Sequence, residues 1–343
     1  MPLPGGIHLA STARGLLENA RVTRSRGNRP NPTLGRRELE EWIERLLDQR
    51  GEEGLKRLRD EAQSLSAPLG LKDEFRVVDS LTGAVLGTRQ VKAESPLLRA
   101  RLKRLPYDER RVEVFKALRD ELAGLAPRSR PSSPDAERVR FLPFFDAYFS
   151  NFIEGTVFTV DEAREIVFEN IVPATRPADA HDVLGTYATV ASGDEMRRLP
   201  QSFTDYLDIL RTRHYRMLER RPDVAPGIFK QRPNRAGNTL FVDPGRVEGT
   251  LAQGFDLYTT LDDPFARAVY RIEYPGSVRA LSNNAFADRL LRVLDFAQRY
   301  THAIDFTDFD GAVEQLGRTN AFVDSDVAER ESIKLRIPTA AQE

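Results

Sequence analysis

The sequence predicts a mainly α-helical chain. A second helical domain carries a short β-hairpin flap, and a small α+β domain precedes it. Apolar residues recur at helical spacing over most of the length, as in Leu39, Trp42, Ile43, Leu46 and Leu47. An aromatic-rich stretch, Phe141, Phe144, Phe145, Tyr148, Phe149 and Phe152, gives one broad apolar face that must be buried. Hairpin-type turn signals occur in two places, within 75–88 and 225–244.

The 343 residues suffice for two domains of ordinary size, each able to bury its own core. Lys and Arg number 51 against 52 Asp and Glu, a net charge of −1, which gives no global electrostatic case for nucleic acid as a partner. The sequence has no cysteine, which removes disulfides, thiol catalysis and Cys-ligated metals and fits a reducing cytoplasm. No apolar run approaches the ~20 residues of a membrane span, so no membrane partner is expected.

Residues 1–30 carry Arg14, Arg21, Arg24, Arg26 and Arg29 against Glu18 and read as a mobile N-terminal arm, with an organelle presequence as the alternative. The first domain, 31–125, opens with a helix from near Leu34 that Gly51 ends. A second helix carries Leu55, Leu58, Ala62 and Leu65, and a third carries Phe115, Leu118, Leu122 and Leu125. Between them, Phe75–Asp79 and Ala84–Thr88 flank Ser80–Gly83 and read as a hairpin. The many Arg and Glu residues between apolar positions read as a solvated surface. A protein-contact or dimerisation role for this domain stays open. Pro127, Pro131 and Pro134 with interleaved serines make 126–136 a linker. The second domain spans 137–325, and 326–343 form a tail.

In the second domain, Gly155 breaks the aromatic helix just after Glu154. Thr159 and Glu162 form a capping box for a helix through Ile166, Val167 and Ile171. Pro177 precedes a helix from Asp179 to about Val190. Ser202 starts a long helix with Phe203, Leu207, Leu210, His214 and Met217 on one face. His214 and His181 therefore read as satisfied structural histidines, and Glu154 alone reads as a helix-end carboxylate. Gly227, Gly237 and nearby prolines bracket short extended runs over 225–244. The plain reading is a connecting loop. A hairpin with an exposed edge could also hold an extended peptide.

Ser150-x-x-x-Glu154-Gly155 resembles the inhibitory-helix motif, [Ser/Thr]-x-x-x-Glu-[Gly/Asn], of Fic (Fido) proteins, which transfer AMP from ATP to protein hydroxyls. Further pieces follow in family order between about 137 and 268: the helix with His181–Tyr187, the helix with Arg213 and His214, the flap-like 226–244, and Asp263–Ala268. The resemblance implies an inhibitory role for Ser150, Glu154 and Gly155. It also implies target docking by Gly227, Phe229, Lys230, Asn234 and Asn238.

The family's diagnostic motif is His-Pro-Phe-x-[Asp/Glu]-Gly-Asn-[Gly/Lys]-Arg-x-x-Arg. Its His is the general base, its acid holds Mg²⁺, and its Gly/Asn loop and arginines bind and neutralise phosphate. None of this chain's histidines, His8, His181, His214 and His302, is followed by Pro-Phe, and Gly27-Asn28-Arg29 has no base before it. Asp263–Ala268 passes directly into Val269–Tyr274, which resembles a segment that relatives carry after the active-site helix. The resemblance thus implies an in-frame deletion near 268/269, and no cofactor is expected although the family uses ATP and Mg²⁺. A lost central helix would remove side chains worth roughly 1.5–3 kcal/mol each.

The expected function is a degenerate relative of protein adenylyltransferases with no catalytic residues of its own. The alternative is an interaction or regulatory module that binds a target peptide or a full-length Fic relative. A transferase working through Arg213, His214 and Lys230 is the third reading; no phosphate loop accompanies those residues.

Overall fold

The computed structural model describes residues 9–23, 31–124, 137, 140–153, 156, 158–236, 239–262, 267 and 305–318. In chain order the helices are α1 (Thr12–Ala20), α2 (Arg36–Ser66), α3 (Lys72–Val85), α4 (Pro96–Leu102), α5 (Glu109–Ala123) and α6 (Leu142–Ile153). They continue with α7 (Val160–Arg164), α8 (Pro177–Val190), α9 (Gly193–Arg197), α10 (Phe203–Leu218), α11 (Val247–Thr259) and α12 (Phe309–Arg318). Strands β1 (Arg235–Ala236) and β2 (Thr239–Leu240) pair antiparallel, with Arg235 opposite Leu240. The described chain is thus mainly helical, as expected. Among the described residues no helix is long and apolar enough to cross a membrane.

The chain divides into two compact units, 1–123 with 232–279, and 124–231 with 280–343. The expected division kept everything after 137 together. The difference arises because α11 packs on α5. Leu251, Phe255 and Tyr258 of α11 are buried, as are Val112, Phe115, Leu118 and Leu122 of α5. Asp108 N donates to Thr250 Oγ1 at 3.0 Å, which fixes the start of α11 beside the start of α5.

The rest of the first unit is built on α1, α2 and α3. Leu16, Leu17, Leu39, Ile43, Leu55, Val78 and Leu81 lie in one buried cluster. Gly51 leaves helical geometry inside α2 (φ 67°, ψ 177°), so the element is two helical segments joined where a helix end was expected.

Three expectations for this unit are corrected. Residues 12–20 are not part of a mobile arm: Ala13, Leu16 and Leu17 form a helical stripe buried in the core, and Ser11 Oγ caps it by accepting from Arg14 N. The hairpin over 75–88 is instead α3. Its buried Val78, Leu81, Thr82 and Val85 follow helical spacing, and its stop is Gly87 rather than Gly83. Gly87 takes φ 73°, its N donates to Ala84 O at 3.0 Å, and Thr88 N donates to Gly83 O at 2.8 Å. That pair of bonds is the left-handed termination of a helix, for which glycine has no steric penalty.

The third correction concerns the charged residues of α2, which are not all solvated. Glu40 is fully buried and accepts from Glu94 N at 2.8 Å, Ser95 N at 2.7 Å and Arg36 Nε at 2.8 Å. One turn on, buried Glu44 accepts from Arg101 Nε, and a turn further Asp48 accepts from Arg246 Nη1 at 3.0 Å. Three carboxylates on one helical stripe thus tie α2 to the start of α4, to its last turn and to the start of α11. A helical i, i+4 spacing places them in line.

In the second unit, Phe144, Phe145, Tyr148, Phe158, Ile166, Val183, Phe306 and Phe309 share one buried cluster. Of the expected aromatic face, Phe144, Phe145 and Tyr148 are buried and Phe141 and Phe149 are half-buried against the same cluster. The Phe144 and Phe309 rings meet edge to face at 4.9 Å, and Phe141 N donates to Phe306 O at 3.0 Å. The capping box forms: Glu162 N donates to Thr159 Oγ1 at 3.2 Å and Thr159 N to Glu162 Oε2 at 2.7 Å. The helix it starts loosens into a π-turn over Glu165–Glu169 and stops at Asn170 in the left-handed region. α8 packs against both α6 and α10. At Gly185 the backbones of α8 and α10 touch, since a Cβ there would lie 2.5 Å from Arg216 O and 2.9 Å from Met217 O.

Candidate functional site

Ser150 occupies the last turn of α6 and is exposed, on the side away from buried Phe144, Phe145 and Tyr148. Its neighbour Asn151 is buried and donates Nδ2 to Ala147 O at 2.9 Å. Thr156 N closes onto Asn151 O at 2.9 Å, the bond that terminates a helix. Glu154 and Gly155 lie outside the described residues, as do His8, His302 and Asn238. The expected junction at 268/269 lies outside them too. Tyr148 donates its hydroxyl to Phe158 O at 3.1 Å, and burial, with Glu162 nearby, pushes that hydroxyl up to about 12. It acts as a packed donor rather than a titrating group.

Two basic residues of α10, Arg213 and Arg216, are committed to a buried carboxylate. Ser192 Oγ caps α9 and accepts from Glu195 N at 3.3 Å, which sets Glu195 in the first turn. Arg213 Nε donates to Glu195 Oε1 at 2.8 Å and its Nη2 to Glu195 O at 2.6 Å, while Arg216 Nη1 reaches Oε2 at 3.1 Å. The Arg213 hydrogen bond, against a burial penalty and with Arg216 and Arg198 adding, holds the Glu195 carboxyl below its ordinary value. Arg213 is therefore a structural tie between α9 and α10.

A second network joins the start of α8 to the residues after α10. Arg221 Nε donates to Asp182 Oδ2 at 2.5 Å, Arg221 also pairs with Asp179, and Arg176 Nε donates to Asp179 Oδ2 at 2.9 Å. Burial pushes the Asp182 carboxyl above its ordinary value, and Arg221 only partly offsets it. Asp182 Oδ1 is buried without a protein partner. His181 beside it is half-buried.

His214 is hydrogen-bonded but does not lie on a buried apolar face. It is exposed, because the buried face of α10 runs through Tyr206, Leu207 and Ile209 instead of through His214. Its Nδ1 accepts from Gly227 N at 2.8 Å. Nearby, Arg211 stacks its guanidinium 4.9 Å above the Phe229 ring. Tyr215 and Ile228 are 52% and 57% exposed, a large apolar exposure for two side chains carried by a helix and the loop pinned to it. Lys230 is half-buried.

The expected docking residues do not fall in one unit. Gly227, Phe229 and Lys230 belong with α10, and Asn234 belongs to the unit of α11. Asn234 is exposed, and its carbonyl accepts from Phe241 N at 3.2 Å, continuing the short hairpin. The Glu195 and Asp182 networks carry no sequence motif. Their only trace is acids spaced for a helix among apolar neighbours.

Among the described residues no group of three or more His, Asp or Glu side chains is placed to hold a metal ion. The described site offers salt-bridged arginines and one surface histidine already accepting a hydrogen bond. No protein-family model matches the chain, and no curated protein and no solved structure is significantly similar to it.

Proposed function

We propose that this chain is a target-binding module of Fic ancestry that does not itself transfer AMP. The ancestry rests on the ordered resemblance over about 137–268, and the loss of activity rests on the missing His-Pro-Phe motif. The observation that carries the non-catalytic reading is the engagement of two of the three candidate catalytic residues. Arg213 spends two donors on Glu195, and His214 Nδ1 is occupied by Gly227 N. A general base needs a free nitrogen within reach of its proton, and a phosphate clamp needs uncommitted cations.

Binding is supported by the surface that remains. Tyr215 and Ile228 present exposed apolar groups beside the Arg211–Phe229 stack, the residue types that anchor protein contacts. The partner class is an extended segment of a target protein, taken by the 227–230 loop; no nucleotide cofactor is required. Calorimetric titration with Mg²⁺–ATP should show no saturable heat up to millimolar ligand. A saturable 1:1 isotherm would sink the reading.

A further inference from the structure

The hydrogen bond between Gly227 N and His214 Nδ1 sets a condition on protonation. Nδ1 can accept only while it carries no proton, so the bond requires the neutral imidazole with its hydrogen on Nε2. Uptake of one proton at Nδ1 gives imidazolium, a donor at both nitrogens, and places two N–H groups face to face. The bond is lost, and the two dipoles repel.

What the bond holds is a turn of unusual backbone geometry. Ala225 takes φ 50° and Gly227 φ 76°, two left-handed residues within three positions, of which the alanine is strained. Ile228 N donates to Ala225 O at 3.1 Å. Gly227 lies close against α10, where an added Cβ would come within 3.2 Å of Tyr215 Cβ and 3.3 Å of Arg211 O. The turn is thus pressed onto α10 at residues 211, 214 and 215, and His214 is the member of that contact that accepts the Gly227 amide.

The charged groups on α10 and on the elements packed with it are mostly engaged with one another. On α10 these are Arg211, Arg213 and Arg216, the last two paired with Glu195 of α9. On α8, Asp179 and Asp182 are paired with Arg221, and His181 lies next to Asp182. The loop side carries Asp223 and Lys230.

We infer that His214 is a proton-operated latch, holding the 225–229 turn on α10 when neutral and releasing it when charged. Release would change how Ile228 and Phe229 are presented. The consequence for target binding rests on the docking role proposed above, whereas the latch itself does not.

The test reads the latch directly in the full chain, by the hydrogen-exchange protection factor of the Gly227 amide between pH 8 and pH 5, the interval over which histidines change charge. Protection should fall by about fivefold, the loss of one hydrogen bond of ordinary strength. His214→Asn keeps an acceptor at the δ position that cannot be protonated, so protection should stay high at both pH values. His214→Ala should give low protection at both. His214 is exposed, so both variants leave the core intact. Protection that does not change with pH in the wild type, or that survives in His214→Ala, would overturn the latch. A failed ATP or target-binding experiment would not touch it.

Discussion

Arg101 directs its Nε–H between the two carboxylate oxygens of Glu44, at 2.8 and 2.9 Å, and so fixes the last turn of α4 to the middle of the first segment of α2. The Glu44 side chain is 7% exposed and that of Arg101 19%, so the pair is largely withdrawn from water. Truncating one partner strands the other charge, which is costlier than the pair is worth. Glu44→Ala should destabilise the first unit by about 2–4 kcal/mol, and Glu44→Ala with Arg101→Met by less than the single change. Urea unfolding of the double-mutant cycle checks both expectations. A loss in the double variant equal to the sum of the losses in Glu44→Ala and Arg101→Met would show that the pair is not coupled.

The contact at Gly185 is a matter of space. A Cβ at that position must displace main-chain oxygens of Arg216 and Met217, which cannot rotate aside as a side-chain tip can. Gly185→Ala should therefore lower stability by roughly 1–3 kcal/mol, although alanine is the better helix former. A thermal midpoint equal to or above the wild type would mean that α8 and α10 are not in backbone contact.

Glu195 gives the pH dependence. Arg213 above all, opposed by burial and aided by Arg216 and Arg198, holds its folded carboxyl below the ordinary glutamate value. The tie is therefore fully present above the unfolded value and is lost as pH falls through the depressed folded value. Glu195→Gln should be less stable than wild type at pH 7, with the gap closing on acidification towards pH 3. Urea midpoints for the two proteins across that range test this; a constant gap would exclude a role for the charge.

The Thr159–Glu162 capping box closes two donors at the start of α7. Thr159→Ala should remove about 1 kcal/mol, and Thr159→Ser should retain most of it. Differential scanning calorimetry of the two variants distinguishes the cap from a packing effect of the threonine methyl.

Much of the helical framework is legible in the sequence because its signals are local. The capping box at Thr159, the N-cap at Ser202, Pro177 at a helix start and the apolar stripes of α2 and α5 all depend on residues a turn apart. The 75–88 stretch mimics a hairpin because Gly83 and Gly87 both resemble turn glycines. The helical stripe Val78, Leu81, Val85 decides between them only once a core is available. The arginines spread over the first 30 residues hide α1, whose own Arg14 lies outside the narrow face of Ala13, Leu16 and Leu17. The placement of α11 beside α5 depends on contacts between residues far apart in sequence, which no local pattern carries.

The site is less legible for the same reason. The partners of Glu44, Glu195 and Asp182 lie 57, 18 and 39 residues away. Their carboxylates look like ordinary surface charge in the sequence. His214 reads as apolar-facing because the spacing Leu207, Leu210, His214, Met217 is helical, yet the buried face is rotated towards Tyr206 and Ile209. A narrow buried stripe on a helix leaves the outer members of an apolar face in solvent.

The most direct test of the central proposal is transfer of AMP from α-labelled ATP with Mg²⁺ onto the protein itself and onto added proteins, with the wild type and Glu154→Gly side by side. Both forms should stay at background while unfolding cooperatively. Label above background from either form would contradict the proposal, and would mean that Arg213, His214 and their neighbours build a working transferase rather than a set of structural ties.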